Sequence, residues 1–97
     1  MHFLLSYDFV PEYLERRDEF RDAHLAHVQS AVDRGELILG GAFANLEEGA
    51  ALIFKADALK VAADFAKSDP YQVNGLVAFW RVRELTTVVG QDAALAS

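Results

Sequence analysis

The chain contains no cysteine, which removes any disulfide framework, thiolate nucleophile or cysteine-bound metal. Positive charge is also scarce. Nine Lys and Arg stand against 15 Asp and Glu, for a formal charge of −6. Nucleic acid and anionic membrane surfaces need clustered cations to neutralise phosphate, so neither is expected as a partner. No apolar run approaches the roughly 20 residues that span a bilayer. The N-terminus, Met1-His2-Phe3-Leu4-Leu5-Ser6-Tyr7-Asp8, lacks a basic region and reaches an acid too early for a secretory signal. A cytoplasmic location is the expectation. Gly40-Gly41 lacks the Lys and Ser or Thr of a phosphate loop and reads as a bulge or a close backbone approach. There is no Gly-x-Ser-x-Gly elbow.

What is present is a globular composition. Of 97 residues, 53% are apolar or aromatic and 25% charged, which suits one domain spanning 1–97. The tail after Leu85 is small and polar, and fraying is expected over 86–97. His2 to Tyr7 alternates as a strand, with Phe3, Leu5 and Tyr7 on one face. Pro11 opens a helix whose first turn carries Glu12 and Glu15 and which stops at Gly35. Residues 36–41, 50–55 and 76–84 read as strands. A second helix is expected over Ala58 to Lys67 with Asp57 as its N-cap, followed by a short turn at Ser68-Asp69-Pro70-Tyr71 that Gly75 ends.

Strand, helix, strand, strand, helix, strand is the ferredoxin-like βαββαβ pattern, a four-stranded antiparallel sheet with two helices on one face. Both faces of the strands carry apolar residues: Leu4 beside Leu5, Ile38 between Leu37 and Leu39, Ile53 beside Leu52, Phe79 beside Trp80. Helices cover only one face. The other is expected to meet a second copy of the chain in an isologous homodimer.

In the long helix, Leu14, Leu25, Val28 and Val32 fall in one stripe at about 100° per residue. Arg21 falls inside that stripe, and His24 and Arg17 at its edge. A guanidinium there either snorkels to a carboxylate such as Asp18 or Glu84, or faces a cleft and binds a small anion. His24 alone fits a hydrogen-bonded core residue as well as a general base. Asp69, which caps the short turn before Pro70, is the candidate carboxylate partner. His27, three residues from His24, points toward solvent on this wheel, and no third ligand completes a metal site.

With these residues in view, the chain resembles the YciI-like (YCII-related) family over roughly residues 1–85. The likeness rests on Arg21-x-x-His24-Leu25, on Arg34-Gly35-Glu36-Leu37 leading to Gly40-Gly41, and on Ser68-Asp69-Pro70-Tyr71 followed by Gly75. The resemblance implies a ferredoxin-like subunit that pairs into a dimeric α+β barrel, with a His-Asp site that falls on His24 and Asp69. One branch of that family eliminates chloride from chlorinated hydroquinones. Asp22 departs from the pattern, standing where many members carry proline, on a different helix face from Arg21 and His24.

The reading that follows is a small cofactor-independent lyase or isomerase acting on a small anionic, aromatic or lactone-like substrate. His24 is the base, Asp69 orients it, Arg21 binds substrate oxygen, and Tyr7, Ser6 and Trp80 shape the pocket. No metal or cofactor is called for. The alternative is a non-catalytic module for ligand binding or dimerisation.

Overall fold

A computed structural model describes residues 1–90. The elements run β1 (His2–Phe9), α1 (Tyr13–Asp33), β2 (Leu37–Ala42), β3 (Gly49–Lys55), α2 (Lys60–Ser68), α3 (Pro70–Val73) and β4 (Val77–Leu85). All strand pairs are antiparallel and the sheet order is β2-β3-β1-β4. This is the ferredoxin-like α+β fold, with α3 as an added turn between α2 and β4.

Tyr7 on β1 stands in register with Ala50 and Trp80, Leu5 with Leu52 and Val82, and Phe3 with Phe54 and Glu84. Phe3, Leu5 and Tyr7 therefore share one face, where they pack with Phe54, Leu52, Ala31 of α1 and Ala62, Phe65 and Ala66 of α2. The alanines let the helix backbones approach the sheet, and Phe65 fills the space by meeting Phe54 edge to face at 5.1 Å. Burying each large side chain in this layer contributes roughly 1.5–3 kcal/mol. Gly49 fixes the register beside Tyr7: a Cβ there would lie 1.9 Å from the Tyr7 carbonyl oxygen, so only glycine fits.

Several local expectations need correction. Helix α1 starts at Tyr13 rather than Pro11, because β1 runs on to Phe9 and Val10 bonds the Leu76 carbonyl. Asp57 does not cap α2. The chain first turns over 57–59, Leu59 takes the cap position, and no side chain bonds there. Gly35 does end α1, at φ +75°, and Gly75 closes α3 at φ +80°. The strand irregularity falls between Leu37 and Leu39, just ahead of the Gly40-Gly41 pair.

The largest correction concerns α1. Tyr13 and Ala31 are its buried residues, with Phe20, His24, His27 and Val28 half-buried, while Leu14, Leu25 and Val32 are exposed. The helix is thus rolled by about 100° from the orientation its aliphatic stripe suggests. Small Ala31 permits close approach to the sheet, and the Tyr13 ring stacks on Phe9 at 3.7 Å. Those contacts outweigh the stripe, which borders a cavity instead.

On the far side of the sheet, Leu4 and Ile53 are half-buried and Leu39 and Phe79 are 69% and 58% exposed. Ser6, Lys55, Arg81 and Arg83 are interleaved with them, by strand alternation and register. Thr87 returns to the sheet, its hydroxyl 2.5 Å from Nδ1 of the buried His2. Residues 91–97 of the expected tail lie outside the described residues. No helix among the described residues is long and apolar enough to cross a membrane.

Candidate active site

The site is built from the start of α3. Asp69 has an extended backbone (φ −62°, ψ 126°), Pro70 follows at the first helical position, and Asp69 Oδ1 accepts the Tyr71 N–H at 3.0 Å. This is an ordinary cap, but the carboxylate is 0% exposed and has two further partners. Its Oδ2 accepts the Tyr7 hydroxyl at 2.7 Å, and its Oδ1 lies 2.8 Å from His24 Nδ1. Three donors from β1, α1 and α3 therefore converge on one buried acid.

That geometry fixes the imidazole. An acceptor facing Nδ1 puts the ring proton on Nδ1 and leaves the Nε2 lone pair free. Nε2 has no hydrogen-bond partner among the described residues, and the His24 side chain, 17% exposed, lines the cavity. The Tyr71 ring lies flat against the imidazole at 3.8 Å and 8°. Tyr71 thus holds both members of the pair, Asp69 through its backbone N–H and His24 through its ring.

The phenols of Tyr7 and Tyr71 are both held protonated. Burial pushes the Tyr7 hydroxyl far above its ordinary range, and the Asp69 charge and hydrogen bond add to the effect. Burial also raises Tyr71, with Tyr13 contributing, while Arg21 and Arg17 pull it back down. The two guanidinium charges are therefore felt at the Tyr71 end of the site.

A cavity of about 360 Å³ opens between α1 and the β2 edge of the sheet. Tyr7, Phe9, Tyr13, His24 and Tyr71 line one part of it, and Leu25, Val28, Val32, Leu37, Ile38 and Leu39 another. Its size and apolar lining with few polar groups suit a small organic molecule. Leu25, Val28 and Val32 of the α1 stripe form one wall of it, and of these only Val28 also packs against the core.

Of the residues singled out from sequence, His24, Asp69 and Tyr7 are brought into one hydrogen-bonded group. Arg21 is exposed, forms no ion pair among the described residues with Asp18 or Glu84, and does not line the cavity. It lies one helical turn before Leu25, on the cavity side of α1 and near Tyr71. Trp80 sits opposite Tyr7 in the sheet and packs against the core rather than the cavity. Ser6, adjacent to Tyr7 in the strand, is on the opposite face of the sheet. His27 does not point to solvent. It is half-buried, stacks on Phe65 at 4.3 Å and donates from Nε2 to the Phe65 carbonyl at 2.9 Å. Among the described residues no group of three or more His, Asp or Glu side chains could hold a metal ion.

Sequence reasoning missed Phe9, Tyr13 and Tyr71 as site residues. Tyr71 had a signal, since it follows a capping Asp-Pro pair. Phe9 and Tyr13 had none, because their stacking joins a strand end to a helix start.

The sequence matches the family model of the YCII-related domain over residues 1–86. The chain belongs to the YCII-related family. Among solved structures it is similar to 5-chloro-2-hydroxyhydroquinone dehydrochlorinase (TftG) from Burkholderia phenoliruptrix AC1100, in complex with 2,5-dihydroxybenzoquinone. The TM-score is 0.76 at 24% identity, over 90% of this chain and 95% of that one, a likeness of fold. Protein Atu4242 from Agrobacterium tumefaciens is more distant, with a TM-score of 0.47 at 14% identity over 97% of each chain. A comparison with curated proteins found no match.

Proposed function

We propose that this YCII-related protein is a lyase or isomerase that moves a proton on a small ring-bearing anionic substrate, aromatic or lactone-like. The observation that carries the reading is the buried Asp69 carboxylate bound to His24 Nδ1, with Nε2 free at a cavity. Nε2 takes a proton from an acidic O–H or C–H of the substrate, and negative charge develops on a ring oxygen. Asp69 stabilises the imidazolium and holds its orientation, and Tyr7 and the Tyr71 N–H hold Asp69. Arg21, at the Tyr71 end, balances the oxygen's charge. The proton then returns to another ring position in an isomerisation, or departs with the leaving anion as HX in an elimination. Proton transfer of this kind calls on no cofactor. The named activity of TftG, a dehydrochlorinase, supports the elimination branch. Ser6 falls out of the proposal, and Trp80 keeps only a packing role behind Tyr7.

The test is a mutant cycle over His24→Ala, Asp69→Asn and the double, assayed on substituted hydroquinones and muconolactone-like acids. Each single change should lower kcat by on the order of 10²–10⁴, and the double should be little worse than the worse single. Asparagine still caps α3, so full activity in Asp69→Asn would reduce Asp69 to a structural cap.

We also propose a cytoplasmic homodimer joined through the uncovered sheet face. Leu4, Ile53 and Phe79 support it, being apolar side chains on a sheet face that no helix covers. Sedimentation at micromolar concentration should give twice the chain mass, and Phe79→Glu should shift it to the monomer. A well-folded wild-type monomer would refute the pairing.

A further inference from the structure

The cavity is longer than the chemistry at His24 requires, and its two ends differ in kind. Tyr7, Tyr13, Tyr71 and His24 line one end. Sheet register shows how far the cavity extends from there. Ala42 and Ala50 stand in the Tyr7 row, Gly40 in the Leu5 row and Leu37 in the Phe3 row. From Tyr7 to Phe3 is four residues of strand, about 13 Å. From His24 to Val32 is eight residues of helix, about 12 Å. Sheet and helix agree on a slot of that length, with no ionisable side chain along Val28, Val32, Leu37 and Ile38.

The depth of the slot has a cause in the sequence. Gly40, Ala42 and Ala50 form its floor, and the row of Ala42 and Ala50 continues into Tyr7 on β1 and Trp80 on β4. A Cβ on Gly40 would come within 3.3 Å of the Leu52 side chain, so a larger residue here would crowd Leu52 and narrow the floor. An apolar cavity of roughly 150 Å³ is enough to take a benzene ring. This one is about 360 Å³. A single ring at His24 would leave more than half of it empty and its apolar walls wet.

We infer that the substrate carries an apolar substituent, up to about a second ring in size, that lies in the slot between α1 and β2 with the acidic ring at His24. This inference rests on the proposed acid-base reading for the position of the ring, and on the cavity alone for the substituent. Walls of Val28, Val32, Leu37 and Ile38 take an alkyl or aryl group and offer nothing to a charged or hydroxylated one. The protein would thus select for the substituent by burial and for the ring by hydrogen bonding.

The experiment is a chain-length series of phenol, 4-methylphenol, 4-butylphenol and 4-hexylphenol, with binding measured by calorimetry on the full chain. Affinity should rise by about threefold to fourfold per methylene, so that butyl exceeds methyl by at least tenfold, and should level off once the slot is full. In Val32→Trp the ratio of butyl to methyl affinity should fall toward one. Equal affinity across the wild-type series would overturn the inference, as would a series that does not bind at all. Dissociation of a dimer by Val32→Trp would also overturn it, since the slot would then be filled by the partner chain. The two proposals separate cleanly. A chain-length gain without turnover of any ring substrate sinks the acid-base reading alone. Turnover of single-ring substrates without a chain-length gain sinks the slot alone.

Discussion

Two histidines three residues apart on α1 have opposite surroundings. His24 meets α3, and His27 meets α2. His24 places Nδ1 on a buried carboxylate and keeps Nε2 at the cavity, whereas His27 spends Nε2 on the backbone carbonyl of Phe65. Both rings are stacked, His24 on Tyr71 at 3.8 Å and His27 on Phe65 at 4.3 Å. A carboxylate gains interaction energy when the imidazole becomes charged. A carbonyl gains less, and the Phe65 carbonyl is uncharged, with only a long contact of 3.5 Å from the Ser68 hydroxyl beside it. The same residue type on the same helix is therefore a candidate base in one place and a helix-packing clip in the other. What decides between them is the acid that α3 delivers.

The network behind His24 should make alkaline stability its most visible signature. Tyr7 and Tyr71 are held protonated in the folded state, with pKa values raised above the unfolded value near 10. Raised phenols stabilise the fold fully below pH 10. That stability is lost as pH climbs above it, because the unfolded chain then releases protons that the folded chain retains. Each such group should remove about 1.4 kcal/mol per pH unit above pH 10. Urea midpoints measured between pH 8 and 11 should fall steeply past 10. Tyr7→Phe should lower stability at neutral pH by about 1–3 kcal/mol, by leaving Asp69 Oδ2 without its donor, and should make the alkaline fall shallower. An unchanged slope in Tyr7→Phe would show that Tyr7 ionises as readily folded as unfolded.

The contrast between the two histidines also marks what was legible in the sequence. The element order and the cap at Asp69 were readable, since they rest on turn chemistry and strand alternation, while the pairing of Asp69 with His24 was a candidate that the family resemblance implied. The roll of α1 was not. A helical wheel assigns the aliphatic stripe to the core, and it has no way to know that Ala31 and Tyr13 would make the close contacts while Leu25, Val28 and Val32 border a cavity. That one error sent His27 to solvent and set Arg21 inside the stripe expected to be buried. Ser6 shows a different limit: strand alternation places it on the face away from Tyr7, which a strand-level reading can see but which proximity in sequence obscures. The stacking of Phe9 on Tyr13 and the close approach at Gly49 are products of tertiary register, visible only once the strands are paired.

Arg21 offers a second, smaller way to sharpen the comparison, because its charge reaches the Tyr71 end of the site. Arg21→Lys keeps the charge and loses the planar fork. It should leave the melting temperature within a degree or two and weaken binding of a ring carboxylate or phenolate by about tenfold, a loss typical of one charge-assisted hydrogen bond. Calorimetry at pH 7 with 4-butylbenzoate, an anion there, and 4-butylphenol, neutral there, separates contact with the anion from contact with the neutral ring. Equal affinities in wild type and variant for both ligands would remove Arg21 from the site.

The smallest effect is expected at His27, and it breaks the comparison most directly. The His27 ring gives α1 a hydrogen bond to the C-terminal half of α2 and a stacking contact with Phe65. His27→Ala removes both, and Phe65 remains buried against Phe54. The loss should be about 1 kcal/mol, the net worth of one hydrogen bond to a carbonyl in a half-buried setting. His27→Gln can keep a donor near the Phe65 carbonyl and should recover part of it. Neither change touches the Asp69 carboxylate, so turnover and the pH dependence of turnover should match wild type in both variants. Urea unfolding midpoints and a pH–rate profile, measured side by side, decide the matter. A shifted pH profile in His27→Ala would mean that the two histidines are electrostatically coupled along α1, and that the site extends to the α1–α2 junction.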